Sequence, residues 1–403
     1  MTNNDVLYGQ TTIPVGIRSR LVDNNNGIKM HILEAGFEEP GRPLILLMHG
    51  YPELAFSWRK NLLPLAAVGY YVVAPDHRGY GRSGGADVTF DDSLWPFRPM
   101  ERVRDTLGLV YALGYREVAM IVGQDFGSSV SSWSTLIRPD VFRSMVLMTA
   151  PFEGAPSFPF NTANEPPKPA PSGPTVHDDL AALPQPRKHY HWYNARREAN
   201  AEWMGAKQGV HDFLRAYFHV KSADWKGNNP FPLKAFSATE LAKMPRYYIM
   251  DLDKTMPENV APDMPTPEEI AANTWLTDEE LRVYSSEFGR TSFQGGLNSY
   301  RLQTDPSFSA ELRLYAGATI DVPSMFISGK SDWGAFQRAG RLEAMRDKIC
   351  TDLRGIHLLD GAGHWVQQEQ PEVVVKLLTE FLQGQNRVTA AKADDSYRAR
   401  SSR

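Results

Sequence analysis

Four short runs constrain the fold more than anything else in the chain. They are 43–50 (PLILLMHG), 70–79 (YYVVAPDHRG), 117–127 (EVAMIVGQDFG) and 144–151 (SMVLMTAP). Each is almost continuously apolar, and each ends in Gly, Asp or Pro. A strand with one wet face alternates in polarity. A strand covered on both faces does not, and that is the pattern of a parallel sheet between helical layers. Candidate helices lie between the runs at about 57–68, 99–113 and 127–137. Such alternation predicts an α/β fold with a mostly parallel sheet flanked by helices.

The pattern stops at residue 151. Ten prolines fall within 151–186, including NEPPKPAPSGP. So many missing N–H donors exclude a packed strand or helix and predict an irregular connection. From about 187 to 309 the chain is helical in character and aromatic-rich. Strand-like runs return at 322–332 and 355–365, and PEVVVKLLTEFLQ (371–383) reads as a closing helix. The expectation is a split core, 1–150 and 310–385. A Pro-rich connector plus helical lid is inserted at 151–309, and a disordered tail follows at 386–403.

Composition removes several functions. Forty-three basic against 47 acidic residues give a net charge of −4, so no basic field for nucleic acid or an anionic membrane is expected. A single cysteine, Cys350, excludes an internal disulfide and a thiolate metal cluster. No secretory signal is visible and no apolar run reaches membrane-spanning length, so the expectation is a cytoplasmic protein. The histidines at 177, 189, 211 and 219 lack metal-ligand spacing, and there is no GxGxxG or Walker loop. No metal and no cofactor are expected.

The chemistry centres on Gly123-Gln124-Asp125-Phe126-Gly127. It sits where a strand turns into a helix and has the form of a nucleophile elbow, G-x-Nuc-x-G, with Asp in the central place. Alone, the same letters also describe a strand ended by a capping Asp. Downstream, one strand ends at Asp332 and the next leads to His364-Trp365, giving the chain order nucleophile, acid, histidine. Asp360 is a rival acid, read here as a turn residue. A carboxylate can attack a saturated carbon and form an alkyl ester, which histidine-activated water then hydrolyses. In this scheme His364 is the base and Asp332 holds its tautomer. A serine at the elbow would suit an esterase or lipase, but Ser128 and Ser129 follow the second glycine.

The motifs HGYPE (49–53), DHRGYGRS (76–83), GQDFG (123–127), Asp332 and GHW (363–365) resemble the α/β-hydrolase superfamily in type, order and spacing. Within it they resemble the epoxide hydrolase family. The likeness covers roughly 25–150 and 320–383, with two short places in the insertion. It implies an eight-stranded, mostly parallel sheet with an inserted helical lid. It also implies an oxyanion hole from the N–H groups of Tyr51 and Phe126, a cis turn at Tyr51-Pro52, and two lid tyrosines that protonate the opening epoxide. Gly295–Arg301 resembles the second lid-tyrosine motif and designates Tyr300. Tyr190-His191-Trp192-Tyr193 resembles the first and designates Tyr190, with Tyr193 as the alternative. His49, Pro52, His191, Trp192 and Trp365 are the remaining substrate-binding candidates. The segment 76–83 reads as a structural turn.

Two related chemistries compete. Haloalkane dehalogenases place halide-binding N–H donors where this chain has Phe126 and Tyr51. Haloacetate dehalogenases resemble it through His191-Trp192, but they clamp the substrate carboxylate with arginines where Phe126 and Ser129 stand. A catalytically silent binding module is the rival of another class. Phe126, Trp192 and Trp365 predict a hydrophobic pocket for a small hydrophobic epoxide without a carboxylate, with water as the second substrate.

Overall fold

The computed structural model describes residue 9 and residues 11–84, 87–157 and 175–385. Eight strands form one sheet: β1 (Arg18–Asp23), β2 (Lys29–Ala35), β3 (Leu44–Met48), β4 (Tyr71–Pro75), β5 (Met120–Gln124), β6 (Met145–Met148), β9 (Ser324–Gly329) and β10 (Leu353–Leu359). Their spatial order is β1-β2-β4-β3-β5-β6-β9-β10. The pairs β1–β2 and β2–β4 are antiparallel, and the rest are parallel.

The unbroken apolar runs follow from two-sided burial. In β3, Ile45 and Leu47 enter one apolar cluster, while Leu44, Leu46 and Met48 enter the other. β4, β5, β6 and β9 divide by the same period of two. The helix Pro99–Ala112 and the helix Phe126–Ile137 cover one face through Val103, Leu109, Val130 and Trp133. The helix Arg59–Ala67 and the helix at 371–385 cover the other. β1 and β2 were not picked out from composition, because β1 is a mostly exposed edge strand without an apolar run.

The chain leaves the sheet after β6 and returns at β9, so the segment between them is an insertion in a sheet whose two halves touch. Residues 158–174 of the Pro-rich connector and the tail 386–403 lie outside the described residues. The insertion is mostly helical, but it also holds a small antiparallel pair missed in the sequence, β7 (Arg187–His189) with β8 (Ile249–Asp251). Three residues per strand are too short for a recognisable alternation. Its aromatic residues Tyr190, Trp203, Phe213, Tyr217 and Tyr300 belong to the same cluster as Leu47, Val72 and Val122 of the sheet. The insertion and the core are therefore packed on one continuous apolar body.

Arg59 ties this body together from within. It is buried, and its guanidinium donates to Glu280 (2.7 Å), to the Trp275 carbonyl (2.9 Å) and to Gln368 (2.6 Å). Two of those partners lie in the insertion and one near the C-terminal helix. No helix among the described residues is long and apolar enough to cross a membrane.

Candidate active site

The parallel strands deliver their side chains to one place because they all point the same way. Asp125 follows β5, Tyr51 lies three residues beyond β3, and Asp332 and His364 lie beyond β9 and β10. Open α/β sheets assemble sites at these carboxyl ends.

Asp125 has φ +52 and ψ −116, a conformation costly for a non-glycine residue. Two glycines make it attainable. A Cβ on Gly123 would come within 2.1 Å of the Gly127 carbonyl oxygen, and one on Gly127 within 2.1 Å of the Met48 carbonyl oxygen. The turn is thus wedged against its own helix and against β3. The Asp125 N–H donates to the Met148 carbonyl and to Thr149 Oγ1, both at 3.2 Å. The Asp125 side chain keeps 20% exposure, whereas His364 and Asp332 keep 3% and 1%.

The Tyr51 N–H donates to Asp125 Oδ1 at 3.0 Å, and the Tyr51-Pro52 bond is cis. The Phe126 N–H occupies the first turn of its helix, where no intrahelical acceptor exists. His364 Nε2 stands 3.6 Å from Asp125 Oδ2 and has no hydrogen-bond partner of its own. Its Nδ1 faces Asp332 Oδ1 at 3.1 Å. Asp332 is held in turn by the Gly334 N–H (2.8 Å) and the Ser328 hydroxyl (3.0 Å). With Nδ1 committed to the carboxylate, the other nitrogen is left to act as a base. Asp360 is exposed and pairs with Lys330, away from the histidine.

A cavity of about 400 Å³ opens on Asp125 and is lined by Phe126, Tyr190, His191 and Tyr300. The rings of Tyr190 and Tyr300 are 5.7 Å apart, and Tyr300 is edge-on to Phe126 at 4.9 Å. Burial holds both phenols well above their ordinary pKa, with the charge of Asp125 adding to the effect, so both carry their protons at neutral pH. Burial holds His191 neutral. Tyr193 does not line the cavity. It is buried with the cations of Lys188 and Arg196 near its ring, whereas Tyr190 lines the cavity.

Four other candidates are placed elsewhere and correct the sequence reading. Trp192 is 40% exposed and packs on His177. On the helix Tyr190–Ala195 the buried face is Tyr190, Tyr193 and Asn194, spaced i, i+3, i+4, so residue 192 points outward. Trp365 is fully buried, stacks on Phe218 and donates its indole N–H to the Phe218 carbonyl, where it fastens the insertion to the core. His49 is fully buried against His77 and Tyr80, with both ring nitrogens engaged, and burial lowers its pKa to about 4. Pro52 is buried in the turn behind Tyr51. None of the four lines the cavity. The 76–83 turn is structural: buried Asp76 accepts from the Ala55 N–H and pairs with His31.

The cavity also departs from the hydrophobic pocket expected. Glu153, Gln337, Arg338 and Arg341 form part of its wall, and Arg102 and Ser128 another part. Sequence reasoning missed them because they belong to segments without a motif. The signal available was strand order alone, which sets the segments after β6 and β9 side by side.

This order of strands, and the strained turn that presents Asp125 at their carboxyl ends, define the α/β-hydrolase class of folds. The α/β-hydrolase-fold family model matches residues 43–187. Epoxide hydrolase A of Mycobacterium tuberculosis is 31% identical over 91% of this chain and 97% of its own length. An epoxide hydrolase of Caballeronia sordidicola is 30% identical over 89% and 91%. Among solved structures, an epoxide hydrolase from an endophytic Streptomyces superposes with a TM-score of 0.71 at 31% identity, covering 93% of this chain and 97% of its own. Epoxide hydrolase A from Mycobacterium thermoresistibile gives 0.67 at 29% identity, covering 91% and 98%. The chain belongs to the epoxide hydrolase family.

Proposed function

We propose that the protein hydrolyses epoxides to vicinal diols through an ester on Asp125. The observation that carries this reading is that Asp125 shares one cavity with two buried, protonated tyrosines, Tyr190 and Tyr300. An opening epoxide leaves as an alkoxide, which is more basic than a phenolate and needs a proton. A halide needs none. The indole of Trp192, part of the halide pair in the dehalogenase reading, faces away from the cavity.

In the first step Asp125 Oδ2 attacks an oxirane carbon and the C–O bond breaks. The freed oxygen takes a proton from Tyr300 or Tyr190. Oδ1 stays under the Tyr51 N–H and becomes the ester carbonyl. In the second step His364 Nε2 takes a proton from water as its oxygen attacks Cγ of Asp125. The negative charge gathers on Oδ1, where the N–H groups of Tyr51 and Phe126 serve as the oxyanion hole. The tetrahedral species then expels the diol oxygen, which takes the proton from the His364 imidazolium, and the proton left on the Asp125 carboxyl returns through solvent to the tyrosinate. The segment 151–309 acts as the lid, since it supplies both tyrosines over a core built from 1–150 and 310–385.

The test is a single turnover of an aryl epoxide in ¹⁸O-water. The label is expected in the Asp125 carboxylate and not in the first diol released, with later turnovers labelling the diol. Label appearing directly in the first diol would remove the covalent step. Halide release from a haloalkane or haloacid with no epoxide turnover would replace the reaction. Tight binding of an epoxide without turnover would favour the silent module.

A further inference from the structure

His364 lies beyond β10, in the turn between Leu359 and the short helix Val366–Glu369, so strand pairing does not fix it. The core holds this turn by two bonds. The Ser331 N–H donates to the Ala362 carbonyl and the Gln124 amide to the His364 carbonyl, both at 3.0 Å. The insertion holds it from the other side. The His364 N–H donates to the Lys221 carbonyl at 2.8 Å, at the end of the helix Gly209–Lys221. Gly363 leaves no gap there: a Cβ on it would come within 2.4 Å of the Lys221 carbonyl oxygen and 2.7 Å of Ser222 Cα.

Glu369 closes this arrangement. Its Oε2 accepts from the Gly363 N–H at 2.9 Å and from the Ala223 N–H at 2.8 Å. Its Oε1 accepts from the Trp365 N–H at 3.0 Å. The peptide N–H groups on both sides of His364 thus end on one side chain, and that side chain takes a third from the insertion. A peptide N–H shut away from water and left without an acceptor is costly. A carboxylate offers acceptors on both oxygens. An amide of the same shape offers one, and turns its NH2 group against at least one of the three donors. Glu369 does not line the cavity, so whatever it does for the reaction passes through the turn.

We propose that Glu369 is a positioning residue for the base: it locks the Gly363–Trp365 turn to the insertion at Ala223, and Nε2 of His364 is placed for the water step only while the insertion is docked there. Asp125 is carried by its own strand-to-helix turn and does not depend on this lock. Tyr190 and Tyr300 stand on other helices of the insertion, Tyr190–Ala195 and Gln294–Thr304. Loosening the lock therefore acts on ester hydrolysis and spares ester formation. This assignment rests on the two-step epoxide hydrolase reading above.

The test follows the two steps separately by stopped flow with an aryl epoxide. It is run at pH 9, because burial and the charge of Asp224 push the pKa of Glu369 up to about 8 against the three N–H groups that lower it. The wild type is then compared as the carboxylate. Glu369→Gln should slow ester hydrolysis about a hundredfold, the order expected when a reacting group is displaced by about 1 Å, and change ester formation less than about twofold. Glu369→Asp keeps two acceptor oxygens on a shorter arm and should fall between. A general loosening of the fold would slow both steps alike. Equal slowing of the two steps, or no slowing of hydrolysis, would overturn the proposal. Amide hydrogen exchange reads the lock without substrate. Peptides covering 221–225 and 361–367 should lose protection together in Glu369→Gln, while those covering β5 and β6 keep theirs. If no epoxide reacts and both peptides lose protection, the reaction reading fails and the lock stands. Unchanged protection in either peptide would remove the lock. Should Glu369→Gln not fold, the same two measurements on Glu369→Asp decide by the same outcomes.

Discussion

Nε2 of His364 stands 3.6 Å from Oδ2 of Asp125, too far for a hydrogen bond and close enough for a water molecule to be activated beside it. Asp125 is therefore not tied to His364. In the proposed mechanism the two steps are carried by different groups, and variants should separate them.

His364→Gln should leave the first step and stop the second. The expected result is a burst in which one epoxide is consumed per site without diol release, followed by a steady state at least about a thousandfold slower. Mass spectrometry of the Asp125 peptide should show the trapped ester. A variant that forms no ester at all would contradict this division.

Asp332→Asn should slow ester hydrolysis about a thousandfold, because an amide presented to Nδ1 no longer enforces the required tautomer. Circular dichroism and melting should change little, since the isostere keeps the site filled. Equal slowing of ester formation would argue against an orienting role.

Tyr300→Phe and Tyr190→Phe should each slow ester formation more than ester hydrolysis. Removing both should cost ester formation at least a hundredfold for substrates with a poor leaving group. Stopped-flow quenching of tryptophan fluorescence can follow both steps. Matched effects on the two steps would contradict proton donation.

Glu53 offers a pH prediction. It is fully buried and accepts from Gln367 and Gln368, and burial together with the charge of Asp125 pushes its pKa up to about 7. A raised pKa means that the folded state holds this proton more tightly than the unfolded chain. The contribution to stability is full below pH about 4.3 and is lost as pH rises through about 7. Glu53→Gln should remove that slope. The difference between wild-type and variant unfolding free energies, by denaturant titration at several pH values, should change by about 3 kcal/mol across the window. A constant difference would show that Glu53 titrates normally.

Arg59→Met should destabilise the protein by about 3 kcal/mol, because Glu280 would lose its partner in a mostly buried position. Since Arg59 reaches both the insertion and the C-terminal region, the loss should appear as one lowered transition in calorimetry. A separate early transition would mean that the insertion melts alone.

Much of this was legible in the letters. The covered strands announce themselves because two-sided burial leaves no polar position, as in Leu44–Met48. Asp125, Asp332 and His364, singled out because the turn requires glycines and the strands fix an order, meet in the structure at the carboxyl ends of the strands. Side-chain direction was not legible. Trp192 and His191 are adjacent, yet one faces solvent and the other lines the cavity, and only the packing of a six-residue helix decides between them. Trp365 follows the histidine directly but points into the insertion. Arg341 and Glu153 belong to no motif; their meeting depends on β6 and β9 being neighbours, which is a fact of sheet order.

That neighbourhood has a consequence for how the protein is made. Synthesis delivers β5, Asp125 and β6 early, then the whole insertion, and only afterwards β9, β10 and His364. Until then the far side of β6 is an open edge, and the nascent chain must keep it from pairing wrongly while the insertion emerges. In the mechanism proposed above, the carboxylate that would form the ester thus leaves the ribosome well before the histidine that would free it.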